Sequence, residues 1–254
     1  MEVGIFLGGS YYIGDLNQKH LNEFTKPAGG LVFRYNFNKR LSARATALYG
    51  IVEAHDSYSA SAAQKQRNLA FKSNIIEGAA VLEFNFLEYE IGNENRKFSP
   101  YIFGGIAGFN FKPTGDYGGT WVALQPLGTE GQGLPDGASK KKYKLTQISL
   151  PFGVGVKANL AESIGLSLEW GMRKTFTDYL DDVSKTYYDP AAITVAHGVP
   201  AGVLSDPSIG TDPNHTNVGK QRGNPTNKDW YSFVGIMLTV KFKQKPNPCP
   251  GIFN

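Results

Sequence analysis

Cysteine is almost missing from this sequence: Cys249 is the only one in 254 residues. A single thiol cannot close an internal disulfide, and no metal-type Cys spacing exists. No apolar run approaches the ~20 residues a spanning helix needs, and the mean hydropathy is −0.28. Transmembrane helices are excluded. A β-barrel is not, because every second strand residue is polar and averaging hides the pattern. An excess of one charge is also missing: 26 Lys and Arg against 22 Asp and Glu leave +4. That balance gives no footing for nucleic acid. No secretory leader precedes the first strand-like pattern. Met1 runs straight into it, so the chain reads as a mature form with an added initiator. Glycine and proline are plentiful, at 30 and 14, which fits one large all-β domain or two smaller ones.

Eight stretches alternate apolar and polar residues, the mark of strands with two differently solvated faces. They are predicted over 2–13, 28–37, 41–52, 73–86, 100–111, 145–158, 164–176 and about 232–242. In the last, Ser232, Val234, Ile236, Leu238, Val240 and Phe242 share one side. In the fifth, Tyr101, Phe103, Ala107, Phe109 and Phe111 are expected on the apolar face, against Gly104, Ile106, Gly108 and Asn110. Pro151 inside the sixth predicts a bulge or bend. The connections run long, short, long, intermediate, long, short, longest. Alternating long loops and short turns are the habit of bacterial outer-membrane barrels, with both termini periplasmic when the strand number is even.

The second face separates this reading from a soluble sandwich. It carries Glu2, Arg34, Arg44, Glu77, Glu83, Lys157, Glu169, Arg173 and Lys241 among many Gly, Ser and Thr. An eight-stranded lumen is just wide enough for side chains to fill, so charges there must pair. A solvated sheet face would carry more Lys, Glu and Thr and fewer Gly. Aromatics add to the barrel reading. Tyr35, Phe37, Phe84, Phe86, Tyr101 and Phe103 gather at the short-turn ends, and Tyr11, Tyr49, Phe109, Phe111 and Phe176 at the long-loop ends, as interfacial girdles do. The expected fold is an all-β, eight-stranded antiparallel transmembrane barrel over 1–242 with a filled lumen and outer-membrane lipid around it. A Pro-rich periplasmic tail over 243–254 follows, whose prolines prevent further strand pairing.

Catalytic patterns are scarce. His20, His55, His197 and His215 fall in predicted loops, without zinc-ligand spacing or a nucleophile motif. His55-Asp56-Ser57 is the nearest grouping, and consecutive residues do not make a triad. Neither an enzyme nor a cofactor nor a small-molecule substrate is expected. Asp178, Asp181 and Asp182 form an acidic cluster after the seventh strand. It is a weak cation candidate, against the reading of a hydrogen-bonded loop anchor.

Several segments carry a family resemblance: residues 2–16, Phe33-Arg-Tyr-Asn-Phe-Asn, Glu83-Phe-Asn-Phe, residues 98–107, 147–157, Glu169-Trp-Gly-Met-Arg and residues 176–184. Together they resemble the PorG-like outer-membrane barrels of the Bacteroidota type IX secretion system. The resemblance implies a structural role, tying the periplasmic ring of PorK and PorN to the outer membrane. It brings no residue-level contact motif. Topology supplies a surface instead, since a periplasmic partner must meet the short connections. The over-long connection 87–99 offers Glu88, Tyr89, Glu90, Asn93, Arg96 and Lys97, and the tight turn adds Asn38, Lys39 and Arg40. An ordinary solvated turn is the competing reading there. For the whole chain, the alternative is a stand-alone OmpA-like barrel that binds extracellular ligands through its long loops.

Overall fold

The computed structural model describes residues 1–17, 25–208 and 217–242. The predicted tail with Cys249 lies outside the described residues, as do His20 and His215. The strands are β1 (Glu2–Ile13), β2 (Lys26–Asn36), β3 (Leu41–His55), β4 (Ala70–Asn85), β5 (Phe98–Tyr117), β6 (Thr120–Ala123), β7 (Thr146–Asn159), β8 (Ile164–Thr175) and β9 (Trp230–Lys241). Each long strand pairs antiparallel with its neighbours; β1 joins both β2 and β9, and β4 joins β5. Eight staves therefore close on themselves. β6 only folds back on the upper end of β5 as a hairpin.

Stepping across paired residues from Glu2 passes Arg34, Arg44, Val81 and Gly105, crosses to Pro151, and continues through Arg173 and Tyr231 to Tyr12. The circuit ends higher on β1 than it began, the stagger that tilted strands need for closure. Closure also leaves no free sheet edge, which a bilayer demands because it offers backbone groups no water.

The exterior decides the solvent. Leu31, Ile76, Leu82, Ile106 and Leu168 are each more than half exposed, from 54% to 63%. They belong to an apolar belt running around the staves. In water such a continuous surface would associate; in a membrane it meets hydrocarbon. This is an eight-stranded, outer-membrane-type barrel. The paired rings Tyr35–Phe37 and Phe84–Phe86, edge to face at 5.2 and 5.6 Å, mark the short-turn end. Tyr49, Trp170 and Phe176 face outward towards the other end. Tyr11 also faces outward but lies buried, its hydroxyl accepting from Trp170 Nε1 at 2.7 Å.

Three expectations change. The faces of the fifth predicted strand are inverted. Tyr101, Phe103, Ala107, Phe109 and Phe111 are buried in the interior, while Ile102 and Ile106 face outward. These rings serve the lumen: Arg44 lies 4.8 Å over Phe103 and Lys157 4.5 Å over Tyr101. Pro151 makes no bulge. The β5–β7 register is the same on both sides of it, and pairing simply lapses at Gly105 and Ile106, because Pro has no N–H to give. The long loops are not all irregular: helices α1 (Ala62–Arg67), α2 (Pro190–His197) and α3 (Val199–Ser205) stand in them, and β3, β4 and β5 run past their expected ends.

Candidate functional site at the periplasmic mouth

The lumen carries a belt with one polar residue from each of the eight staves. Arg34 on β2 reaches Glu2 on β1 at 2.6 Å and Glu83 on β4 at 2.8 Å. Arg44 on β3 meets Glu83 at 3.0 Å and clasps Glu169 on β8 through two bonds of 2.5 and 3.1 Å. Lys157 on β7 adds a third cation to Glu83, at 2.6 Å. Tyr101 on β5 donates to Glu169 at 2.7 Å, and Thr239 on β9 to Glu2 at 3.3 Å. Higher up, Arg173 pairs with Glu77 at 3.1 Å and Tyr231 donates to the same carboxylate at 2.7 Å. The predicted lumen residues Arg34, Arg44, Glu77, Glu83, Glu169 and Arg173 are thus brought together, all within 5% exposure. With Glu2 and Lys157 they make four acids and four bases. Lys241, counted with them in the sequence, sits at the mouth instead and pairs with Glu90 at 3.2 Å.

Below this belt, connection 86–97 folds across the periplasmic mouth. Its backbone is held on one side by the tight turn, where Tyr89 N–H donates to Lys39 C=O at 3.1 Å. On the other side Asn159 Nδ2 donates to the carbonyls of Glu90 and Asn93, at 2.9 and 3.3 Å. Lys241 Nζ donates to Ile91 C=O at 3.0 Å. Gly92 has φ +83°, and a Cβ there would stand 2.3 Å from the Glu162 carbonyl, so this crossing needs glycine. The three periplasmic connections are therefore one welded surface.

The predicted contact residues divide into two sets. Tyr89 is not on the surface: it is 7% exposed, with its hydroxyl on Ala158 C=O at 3.3 Å and its ring 6.0 Å from Lys157 Nζ. Ile91, absent from the sequence reading, is buried beside it. An aromatic and a branched apolar residue two apart in a charged turn was the available signal, since only one side of such a turn can be wet. Glu90 and Asn93 are half-buried and hold the turn in place. Glu88, Lys97, Asn38, Lys39 and Arg40 are exposed, and half-exposed Arg96 bonds Glu88 at 2.6 Å. Arg40 caps the carbonyl of Phe86 at 2.7 Å. Asn38 sets the tight turn, its Oδ1 accepting from the N–H groups of Arg40 and Leu41, each at 2.8 Å.

A family described as "Domain of unknown function (DUF6089)" matches residues 1–118 and 122–194. The chain belongs to that family. The match takes in the welded periplasmic surface and seven of the eight staves, leaving β9 beyond it. No curated protein matches the chain. Among solved structures, this DUF6089 barrel is similar to Neisserial surface protein A, at 12% identity and a TM-score of 0.43, covering 95% of this chain and 96% of that one. It is also similar to Ail, the attachment invasion locus protein of Yersinia pestis, at 12% and 0.39, covering 94% and 98%. OprG from Pseudomonas aeruginosa follows at 10% and 0.40, covering 94% and 95%. The closed wall and apolar exterior of the DUF6089 barrel fit it to an outer membrane.

The extracellular end of the DUF6089 barrel is closed by a cap built from its long loops. Seven buried carboxylates lie in it: Asp15, Asp56, Glu130, Asp178, Asp181, Asp182 and Asp229. Arg222 meets Glu130 at 3.3 Å, and Arg67 holds Asp56 at 2.7 Å. The three aspartates of the predicted cation cluster turn to separate partners. Asp178 accepts from Ser184 at 2.6 Å, Asp181 from Tyr12 at 2.5 Å, and Asp182 from Thr129 and, at 2.6 Å, from Tyr143. These bonds tie the loop 177–184 to β1 and to the loop that carries Thr129 and Tyr143. Tyr12 offers its hydroxyl to both Asp181 and, at 2.9 Å, Asp229. Burial pushes both of these carboxyls well above the usual range, helped by repulsion from Asp15 at Asp181 and from Asp181 at Asp229. Burial raises Asp178 and Asp182 to about 6. His55 bonds Glu53 and Asp56 bonds Arg67, so the local His-Asp-Ser grouping is dispersed.

Proposed function

We propose that this barrel is a non-enzymatic outer-membrane anchor that holds a periplasmic assembly through its welded turns. The observation that carries the reading is the turn 86–97. A connection needed only to join β4 and β5 could be as short as 37–40. This one crosses the mouth, buries Tyr89 and Ile91, and leaves Glu88, Arg96 and Lys97 beside Lys39 and Arg40 on a face fixed by hydrogen bonds to the tight turn and to Asn159 and Lys241 at the strand ends. A preorganised face loses little entropy when a partner docks. The lumen belt is filled by its own paired side chains.

The family resemblance supplies the partner: the type IX secretion ring of PorK and PorN. The test changes the exposed charges alone. Replacing Lys39, Arg96 and Lys97 by Ala, with Arg40, Tyr89 and Ile91 retained, should release the ring proteins from the co-purified barrel and leave its heat-modifiable migration unchanged. Undiminished co-purification overturns the proposal. If ring proteins never accompany the unaltered barrel, the stand-alone extracellular binder replaces it.

A further inference from the structure

Near the extracellular end, on the outward side of the barrel, one lysine stands on β4, one on β5 and one just ahead of β7. Lys72 on β4 is one diagonal step from Lys112 on β5, since Lys72 faces Thr114 and Asn74 faces Lys112. Lys144 continues the β7 register beyond Asn110–Thr146, which brings it opposite Lys112. Among the described residues none of the three has a carboxylate within ion-pair distance. Glu53 faces Lys72 across β3 and β4, but its oxygens go to Lys26 at 3.2 Å and His55 at 3.0 Å. Asp116, further up β5, holds Gly119 N–H at 2.7 Å. Lys72 lies 5.6 Å over the Trp121 ring. Of the other outward cations at this end, Lys26 pairs with Glu53, while Lys174 on β8 stands apart from the three and, like Lys72, lies over a Trp ring, Trp230 at 5.9 Å.

Directly below, the belt of large apolar side chains is interrupted. Gly78 and Gly108 face each other across β4 and β5, with Ala47 beside one and Ile148 beside the other. A Cβ at Gly78, Gly104 or Gly108 would meet nothing within 4 Å. The result is a shallow depression floored by Gly78, Ala80 and Gly108 and walled by Ile106 and Ile148. From Lys112 to Gly108 is four residues, or about 13 Å of strand. That length lies within one leaflet of a ~30 Å hydrocarbon layer. Cations sit at headgroup height and a smooth channel at acyl-chain height on the same strands.

We infer that this face seats one phosphate-bearing lipid of the outer leaflet, its phosphate between Lys72, Lys112 and Lys144 and an acyl chain in the Gly78–Gly108 depression. Charge complementarity selects the occupant. Clustered, unpaired ammonium groups at a membrane surface attract anionic headgroups, whereas a protein ridge fitted to the depression would leave the lysines unmatched.

The test uses the full chain in phosphatidylcholine nanodiscs doped with diphosphorylated lipid A, with bound lipid counted by native mass spectrometry. The unaltered barrel should retain one lipid A in about tenfold preference to its dephosphorylated form. Joint Lys112→Gln and Lys144→Gln replacement should abolish the preference. Gly108→Phe fills the channel in open space and should lower retention several-fold in a barrel of unchanged migration. Lys174→Gln, on β8, should leave retention unaltered. The inference is overturned if both lipid forms are held equally, if the double lysine variant keeps the preference, or if Lys174→Gln abolishes it.

Discussion

The lumen and the extracellular cap both bury many charges, and they do so on opposite terms. The lumen matches four acids with four bases, and Glu83 alone touches Arg34, Arg44 and Lys157. Among the described residues the cap buries seven carboxylates, with Arg67 and Arg222 as the cations bonded to them. In the sealed barrel interior the ions are tolerated chiefly as pairs, with hydroxyls from Tyr101, Tyr231 and Thr239 added to them. The cap borders water and compensates in other ways: hydroxyls from Tyr12, Thr129, Tyr143 and Ser184, backbone N–H groups, and retained protons. Two arrangements of the same residue types thus give one region held by ion pairs and another whose carboxyls respond to pH.

Removing the shared carboxylate of the lumen should have the largest effect. Glu83→Ala leaves three cations converging on a vacated point, and breaking a buried ionic cluster costs about 3–5 kcal/mol. Urea unfolding of the barrel in lipid vesicles should show that loss. A cost no larger than that of a cap variant would erase the contrast between the regions.

A smaller effect is expected in the cap, and its sign follows from the raised carboxyls. A group whose folded pKa lies above its unfolded value favours the folded state at low pH, and that advantage is lost as pH rises through the interval between the two. For Asp178 and Asp182 the interval runs from the ordinary carboxylate value to about 6. Asp181 and Asp229, raised by burial, act in the same direction. Amide exchange at Leu180 and Val183, corrected for intrinsic rates, should therefore lose about tenfold in protection from pH 5 to pH 8. Asp181→Asn should flatten that dependence, and an unchanged slope would refute it. The smallest effect belongs to the exposed Arg96–Glu88 pair. Arg96→Ala should leave the unfolding midpoint where it was, because solvent already screens that pair. A measurable drop would mean that the rim also holds the fold.

Much of this architecture was readable in the chain. β1 begins and ends where its alternation does, and seven staves show their outward faces because lipid selects large apolar residues there. β5 misleads because the lumen, too, is filled with rings. Tyr101, Phe103 and Phe109 are larger than the Gly104 and Gly108 beside them, so size alone points the wrong way. Pairing resolves it, since Phe103 sits opposite Glu83 and Phe109 opposite Glu77, both lumen residues. The periplasmic turn is legible as long and charged, and its exposed rim is where the pattern placed it. Its inward anchors Tyr89 and Ile91 depend on contacts with Ala158 and Gly165, about 70 residues away in sequence, which local patterning cannot show. The cap is the least legible region. Its carboxylates look like ordinary loop acids until β5 and β6 and helices α1 to α3 enclose them.

The belt that takes one residue from every stave has a bearing on the order of assembly. Glu2 comes from the first strand and Thr239 from the last, and Glu83 gathers partners from β2, β3 and β7. Neighbouring strands pair Glu2 with Arg34 and Arg44 with Glu83 early. Glu169, Lys157 and Arg173 find their partners only across the lumen, on β3 and β4. A half-wound intermediate therefore carries uncompensated ions towards hydrocarbon, and the Thr239 bond to Glu2 closes the belt last. Insertion and ring closure then become a single event, in which the barrel's first and final residues are made to wait for each other.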